Sequence, residues 1–261
     1  MTGFLLTNAA VAAMLFALLW LVNLRTRDPS FIDAFWALGM VAMAVSSFLQ
    51  TEVLSPRNWL LTWLCALWGL RLGTHLLARW RVEGMDPRYR AIVGTTMERR
   101  GWGFGLTTLL QLFGLQAVLM FLVSLPVQLG QYQAYAPIGV LGWAGVALFA
   151  LGFLFETVGD AQLARFKRDP ANAGKVMDRG LWRFTRHPNY FGDFCVWWGL
   201  WLIACGAPWG WVSVVGPLFL SFTLMRWSGV PMLERKLKRS RPGYAAYAAR
   251  TNAFFPGLPK G

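Results

Sequence analysis

Charge is scarce in this chain. Only 14% of its 261 residues are charged, against roughly 25% in an ordinary soluble domain. That excludes a disordered protein, a coiled coil and a typical soluble globule. Cysteine and histidine are also few. Cys65, Cys195 and Cys205 each lie inside an apolar run with no close pair, and two histidines complete the set. No His/Cys/carboxylate cluster has metal-ligand spacing, so no metal is expected. Internal repeats and low-complexity linkers are missing too, so residues 1–261 read as one domain. The apolar run 4–22 lacks a basic segment before it and a small-residue cleavage site after it, so it reads as a first membrane helix rather than a signal peptide.

What the chain has instead is apolar surface. Hydrophobic residues reach 56%, with 15 Trp, 19 Phe and 10 Met, more than one soluble core would bury. A helix crosses the hydrocarbon layer with about 20 mostly apolar residues. Seven segments qualify: 4–23, 31–50, 59–77, 106–129, 137–158, 190–207 and 211–225. The last two are short and are split by Ala207-Pro208-Trp209-Gly210. The expected fold is all-α, a polytopic integral membrane protein with seven transmembrane helices.

The net charge of +13 raises the question of a polyanionic partner, and its distribution answers it. With seven spans threaded, the segments 24–30, 79–105, 159–189 and 226–261 share one side. They hold 23 of the 25 Lys and Arg residues. The positive-inside rule puts that side in the cytoplasm, with the N-terminus outside and the C-terminus inside. The basic charge then needs membrane lipid, not nucleic acid, as its partner.

Ionisable groups inside apolar segments are costly unless paired or functional. Asp33 lies early in the second segment, Arg71 and His75 late in the third, Glu156 and Asp160 around the end of the fifth. Asp193 opens the sixth, and Arg226 follows the seventh. All fall toward the cytoplasmic side. Arg71, His75 and Arg79 recur every four residues, on one helix face. Two arrangements satisfy such a set: a polar chamber open to the cytoplasm, or ion pairs joining the helices, such as Asp33 with Arg71, Glu156 with Arg79 and Asp193 with Arg186.

The densest stretch runs from Gly180 to Asp193 and gathers Arg183, Arg186, His187, Asn189, Tyr190 and Asp193. Pro188 suits a first helical turn. The helix after it would aim free N–H groups at the cytoplasmic side. Two arginines beside a helix N-terminus form an anion site, most naturally for a phosphate. The plainer reading is a loop resting on lipid headgroups.

Arg186-His187-Pro188-Asn189-Tyr190-Phe191-Gly192-Asp193, with Gly180-Leu181-Trp182 before it, resembles the signature of the steroid 5-alpha-reductase family, particularly its small bacterial membrane members. Asp160-Ala161-Gln162, Phe166-Lys167, Arg71 with its neighbours, and Asp86-Pro87-Arg88-Tyr89 also fit. So does the tail carrying Pro231, Glu234, Tyr244, Tyr247, Thr251, Phe254 and Pro256. The resemblance implies an NADPH-dependent oxidoreductase of the bacterial inner membrane, of the 3-oxo-5-alpha-steroid 4-dehydrogenase type. Such an enzyme reduces the carbon–carbon double bond of a lipophilic enone, a 3-oxo-delta-4 steroid above all, in steroid and lipid metabolism. It also implies that the C-terminal part, about 137–261, binds the cofactor. Asn189 and Asp193 would contact it, with Asp160, Lys167 and Arg226, Arg81 from the loop after the third span, and Arg186, His187 and Tyr190 from the signature itself. The family's steroid-reducing members pair a second-helix glutamate with a third-helix tyrosine as proton donor. Asp33 takes the glutamate's place, and residues 31–86 contain no tyrosine. His75, or a water held by Arg71, is therefore the candidate partner.

A looser Arg-His-Pro-x-Tyr-x-Gly pattern also occurs in isoprenylcysteine carboxyl methyltransferases, so a membrane methyltransferase using S-adenosylmethionine stays open. A lipid or sterol carrier using the same polar groups for transit is the non-enzymatic alternative. Only the enzymes require nucleotide recognition around Arg186–Asp193.

Overall fold

The computed structural model describes residues 1–260. Every regular element among them is helical. The chain divides into two compact units. One holds residues 1–139 and 204–213, the other residues 140–203 and 214–261.

In the first unit, α1 (Thr2–Thr26) ends where Arg27 turns left-handed and its N–H reaches Asn23 O. Asp28 then accepts from Ser30 N and starts a 3-10 turn, Pro29–Phe31, that runs into α2 (Ile32–Leu49). A reciprocal cap between Ser55 and Asn58, with Pro56 in the first turn, starts α3 (Pro56–Glu83). Gly84, at φ 69°, stops it. Asp86 caps α4 (Pro87–Arg100), and Gly101, at φ 66°, ends it. The span predicted at 106–129 is a rod of α5 (Phe104–Thr108), a π-helical stretch Leu109–Gly114 and α6 (Leu115–Val123), followed by the short α7 (Leu125–Leu129).

Small residues let α2 and α3 approach closely. A Cβ on Gly69 would lie 2.8 Å from Ala37 O, and one on Gly73 would lie 2.8 Å from Leu38 Cγ. Membrane helices associate through such small-residue contacts, because lipid tails remove the hydrophobic drive between them. Polar side chains complete the packing. Asn8 Nδ2 donates to Gln128 Oε1 (3.1 Å) and Ser47 Oγ (2.9 Å), and its Oδ1 accepts from Ser46 and Gln50. Arg57, fully buried, donates to the carbonyls of Ala136 and Pro137, both at 3.0 Å.

The second unit is built on α8 (Val140–Arg168) and α9 (Pro188–Ala204). It continues with α10 (Val215–Phe222), which extends through a π-helical stretch, Thr223–Trp227, and with α11 (Val230–Ser240) and α12 (Tyr244–Arg250). A glycine seam joins α8 to α9. Gly145 meets Gly199, and Gly152 meets Gly192. A Cβ on any of the four would come within 2.5–2.6 Å of a backbone atom of the facing helix. Gly145, Gly152 and Gly159 are each seven residues apart, and so are Gly192 and Gly199. A seven-residue repeat keeps one face turned to one partner along the whole contact.

Among the described residues, five helices are long and apolar enough to cross a membrane: Thr2–Thr26, Pro29–Leu49, Pro56–Glu83, Phe104–Val123 and Val140–Arg168. The two further spans anticipated at 190–207 and 211–225 are shorter in the structure. α9 has 17 residues, about 25 Å at 1.5 Å per residue, against roughly 30 Å of hydrocarbon. α10 has eight, before five more in its π-helical extension. The intervening loop, with Gly210 packed on Ala204, ends one and delays the other.

Candidate functional site

In the first unit the polar focus is Asp33, in the first turn of α2. Its Oδ1 accepts a hydrogen bond from the Tyr89 hydroxyl. The Arg88 Nη2 lies 3.6 Å from its Oδ2 and 2.7 Å from Asp86 Oδ2. Tyr89 reaches Asp33 because Asp86 accepts from Arg88 N, turning the chain into α4 and folding its first turn back toward α2. Tyr89 is buried. Burial, and then the facing Asp33, hold its phenol well above the usual tyrosine value. It therefore keeps its proton throughout the physiological range. For Arg88, burial alone would lower the pKa. The hydrogen bond to Asp86 and the charge of Asp33 outweigh it, and the net shift is upward.

Residues 31–86 contain no tyrosine, and the phenol beside Asp33 comes from three residues further on, in a helix lying outside the apolar segments. The signal was present in Asp86-Pro87-Arg88-Tyr89, a helix-starting sequence whose fourth residue is aromatic. What the sequence lacked was the turn at Gly84 that brings α4 back. Asp33 is engaged by Arg88 and Tyr89, both from α4, rather than by α3 alone. His75 and Arg71 are half-buried along α3, and Arg81 is exposed in its last turn.

In the second unit the signature residues separate into two groups. Asn189, at the start of α9, donates from Nδ2 to Asp160 Oδ1 on α8 at 3.1 Å, while its Oδ1 accepts from Tyr190 N. Gly159 makes room for this contact, since a Cβ there would lie 3.2 Å from Pro188. Nearby, the Trp182 indole donates to Gly159 O at 3.0 Å, and Leu181 N donates to Gln162 Oε1 at 3.0 Å. The Gly180–Arg183 turn is thereby clamped onto α8. Asp160 is buried, Asp193 and Asn189 half-buried, and Lys167, Arg183 and Arg226 exposed.

Arg186 and His187 face elsewhere. The Arg186 guanidinium donates to Glu234 Oε1 from Nε (2.8 Å) and Nη2 (2.7 Å), and from Nη1 to the carbonyls of Ala248 (2.8 Å) and Thr251 (2.7 Å). His187 Nε2 lies 3.3 Å from the same Glu234 oxygen, and the imidazole stacks on Tyr190 with ring centres 5.4 Å apart. Backbone bonds continue the clasp. Arg186 N donates to Asn252 O, Thr185 Oγ1 to Phe254 O, and Gly257 N to Phe184 O. Burial alone would raise the pKa of Glu234. The hydrogen bonds from His187 and Arg186 outweigh it and pull the carboxyl down to about 2. Glu234 lies in the tail singled out in the sequence, but its part as the anchor of Arg186 was not legible there.

A nucleotide fits the first of these groups by its chemistry. Asp160, Asn189 and Asp193 have the polar atoms to bond hydroxyls or an amide, and Lys167, Arg183 and Arg226 are exposed cations of the same unit, of the kind that phosphate takes. His187 Nδ1 and Thr157 Oγ1 are buried without a protein hydrogen-bond partner, and in native proteins such groups are rare enough to need a reason.

Among known proteins, the chain is 22% identical to "Uncharacterized protein C594.04c" of Schizosaccharomyces pombe over 97% of its own length and 81% of that protein. It is 40% identical to "Probable O-methyltransferase ustE" of Ustilaginoidea virens over 53 residues, 20% of the chain and 18% of that protein. No solved structure matches. A family model matches residues 19–251, and the chain belongs to that family, described as "Protein of unknown function (DUF1295)".

Proposed function

We propose that this protein is an NADPH-dependent membrane reductase that saturates the carbon–carbon double bond of a lipophilic enone, a 3-oxo-delta-4 steroid or a molecule of that shape. The family to which it belongs is associated with steroid 5-alpha-reductase-like membrane proteins. The observation that carries the reading is the hydrogen bond between Asp33 and Tyr89. A carboxyl–phenol pair of this kind supports such a reduction, with Asp33 in place of glutamate and Tyr89 coming from α4.

The chemistry that NADPH supplies when bound is a hydride to the enone β carbon. Tyr89 donates its hydroxyl hydrogen to the ketone oxygen and stabilises the enolate as charge develops. With a ketone bound, the hydroxyl hydrogen that points to Asp33 in the free protein turns to the ketone oxygen, and the carboxylic acid form of Asp33 donates to the phenol oxygen in its place, limiting the charge left there. Asp160, Asn189 and Asp193 would hold the nucleotide, and Lys167 and Arg226 its phosphates. In this reading α9 and the α10 rod cross the membrane as a sixth and seventh span. The basic segments then face the cytoplasm of a bacterial cell, with the N-terminus outside.

The local similarity to a protein named as a probable O-methyltransferase favours a second reading, methyl transfer from S-adenosylmethionine. One measurement decides between them. Detergent-extracted protein is titrated with NADPH, NADH and S-adenosylmethionine while its unfolding temperature is followed. Stabilisation by NADPH, weaker with NADH, supports the reductase. Stabilisation by S-adenosylmethionine and not by NADPH overturns it.

A further inference from the structure

α11 carries the strongest concentration of like charge in the second unit. Its one acid, Glu234, turns inward and is consumed by Arg186 and His187. The outer face is left with Arg235, Lys236, Lys238 and Arg239, with no carboxylate of its own helix to offset them. At the start of this face a cleft of about 450 Å³ opens, lined by Trp227, Met232, Arg235, Lys236, Arg239 and Ser240. Trp227 and Met232 are half exposed, at 50% and 41%. The cleft thus pairs an apolar wall with three cations.

An open cleft of that composition matches an amphiphile with an anionic head. The cations meet the phosphate, and the indole and thioether meet the glycerol and the first methylenes. Tryptophan sits by preference at the membrane–water boundary. Basic residues following a membrane helix attract anionic lipid, and an amphipathic basic helix lies in the interface plane. Trp227 closes the π-helical end of the α10 rod, and α11 begins three residues later, which is where a chain leaving an apolar segment would meet headgroups. We propose that the Trp227–α11 cleft is a binding site for one anionic phospholipid of the surrounding membrane, sharing no lining residue with the group proposed to hold the nucleotide.

The test needs neither turnover nor nucleotide, so it stands or falls apart from the reductase reading. Full-length protein in neutral detergent is titrated with dioctanoylphosphatidylglycerol, dioctanoylphosphatidylcholine and inorganic phosphate. Binding is read by native mass spectrometry and by the shift in unfolding temperature. The phosphatidylglycerol is expected to bind, and the other two are not. The triple variant Arg235→Gln, Lys236→Gln, Arg239→Gln should bind it roughly 100-fold more weakly, at about 1 kcal/mol per cation. Trp227→Ala should weaken it about tenfold with the charges intact, and it serves alone if the triple variant does not accumulate. A matched triple variant elsewhere, Arg25→Gln, Arg90→Gln, Arg99→Gln, should bind as the unaltered protein does. Equal binding of phosphatidylcholine, an equal response to phosphate, displacement of the lipid by NADPH, or equal losses in the two triple variants would each overturn the proposal.

Discussion

Asn189 Nδ2 donates to Asp160 Oδ1 across 3.1 Å, joining the first turn of α9 to α8. The contact exists because Gly159 leaves room for Pro188 and the Asn189 backbone where α9 begins. If the pair positions a nucleotide, Asn189→Ala and Asp160→Ala should leave the protein folded. They should weaken NADPH binding by about ten- to a hundredfold, the scale of one charge-assisted hydrogen bond of roughly 1.5–3 kcal/mol. Titration of cofactor fluorescence against each variant measures it. Loss of accumulation in the membrane by both variants would make the contact structural instead.

The glycine seam gives a stability prediction with an internal control. Gly192→Ala places a Cβ 2.5 Å from Glu156 N and Gly152 O, backbone atoms that do not move aside. Overpacking of this kind costs about 1–3 kcal/mol or more. Gly94, inside α4, has open space where a Cβ would stand. Gly94→Ala should therefore stabilise by roughly 0.5–1 kcal/mol, the helix-propensity difference. Unfolding temperatures of the two variants should move in opposite directions.

The clasp around Glu234 predicts a response to acid. Its folded pKa, about 2, lies below the ordinary glutamate value of 4.5. A depressed carboxylate pKa adds stability that is present above the unfolded value and is lost as pH falls through the folded one. Wild-type unfolding temperature should drop between about pH 4.5 and pH 2 through this group. Glu234→Gln should remove that part of the pH dependence. It should also lower stability at pH 7 by about 2–4 kcal/mol, because Arg186 is left buried without its counter-charge. A variant with the wild-type acid profile would show that the clasp contributes nothing.

Much of this was legible beforehand, and the gaps have physical causes. Long apolar runs declared α1, α2, α3, the α5–α6 rod and α8, because a bilayer demands length and hydrophobicity that composition displays directly. The seven-residue glycine spacing of 145, 152 and 159 was equally visible, but glycines read as a packing seam only once a partner helix offers its own at the same interval. Asp33, Asn189 and Asp160 stood out as polar groups in apolar surroundings. The partners of Asp33 and Arg186 did not. Tyr89 lies 56 residues from Asp33, and Glu234 lies 48 from Arg186. Residues in ordinary polar segments carry no mark of cost, so nothing singles out which of them turns inward. Arg186 was read as an anion binder from its neighbours in sequence, whereas its guanidinium closes on Glu234 and two tail carbonyls.

The last prediction concerns Tyr89, on which the proposed chemistry depends. Its phenol is buried, holds its proton and faces Asp33. Tyr89→Phe removes one hydroxyl and keeps the ring, so packing against α2 should survive and NADPH binding should stay near normal. Turnover of progesterone or testosterone should fall by roughly 10²-fold or more, the usual scale for a general acid. Asp33→Asn should fall by a similar factor. The double variant should be no worse than either single one, because groups acting as a unit do not lose activity additively. His75→Gln is the contrasting case. If the imidazole is the acid, that variant loses turnover and Tyr89→Phe keeps it. If Asp33 merely neutralises Arg88, Asp33→Asn should lower unfolding temperature with little change in turnover per folded molecule, and Arg88→Ala should do the same. Near-normal turnover by a stable Tyr89→Phe variant would remove the carboxyl–phenol pair from the mechanism and leave His75 as the acid to be tested.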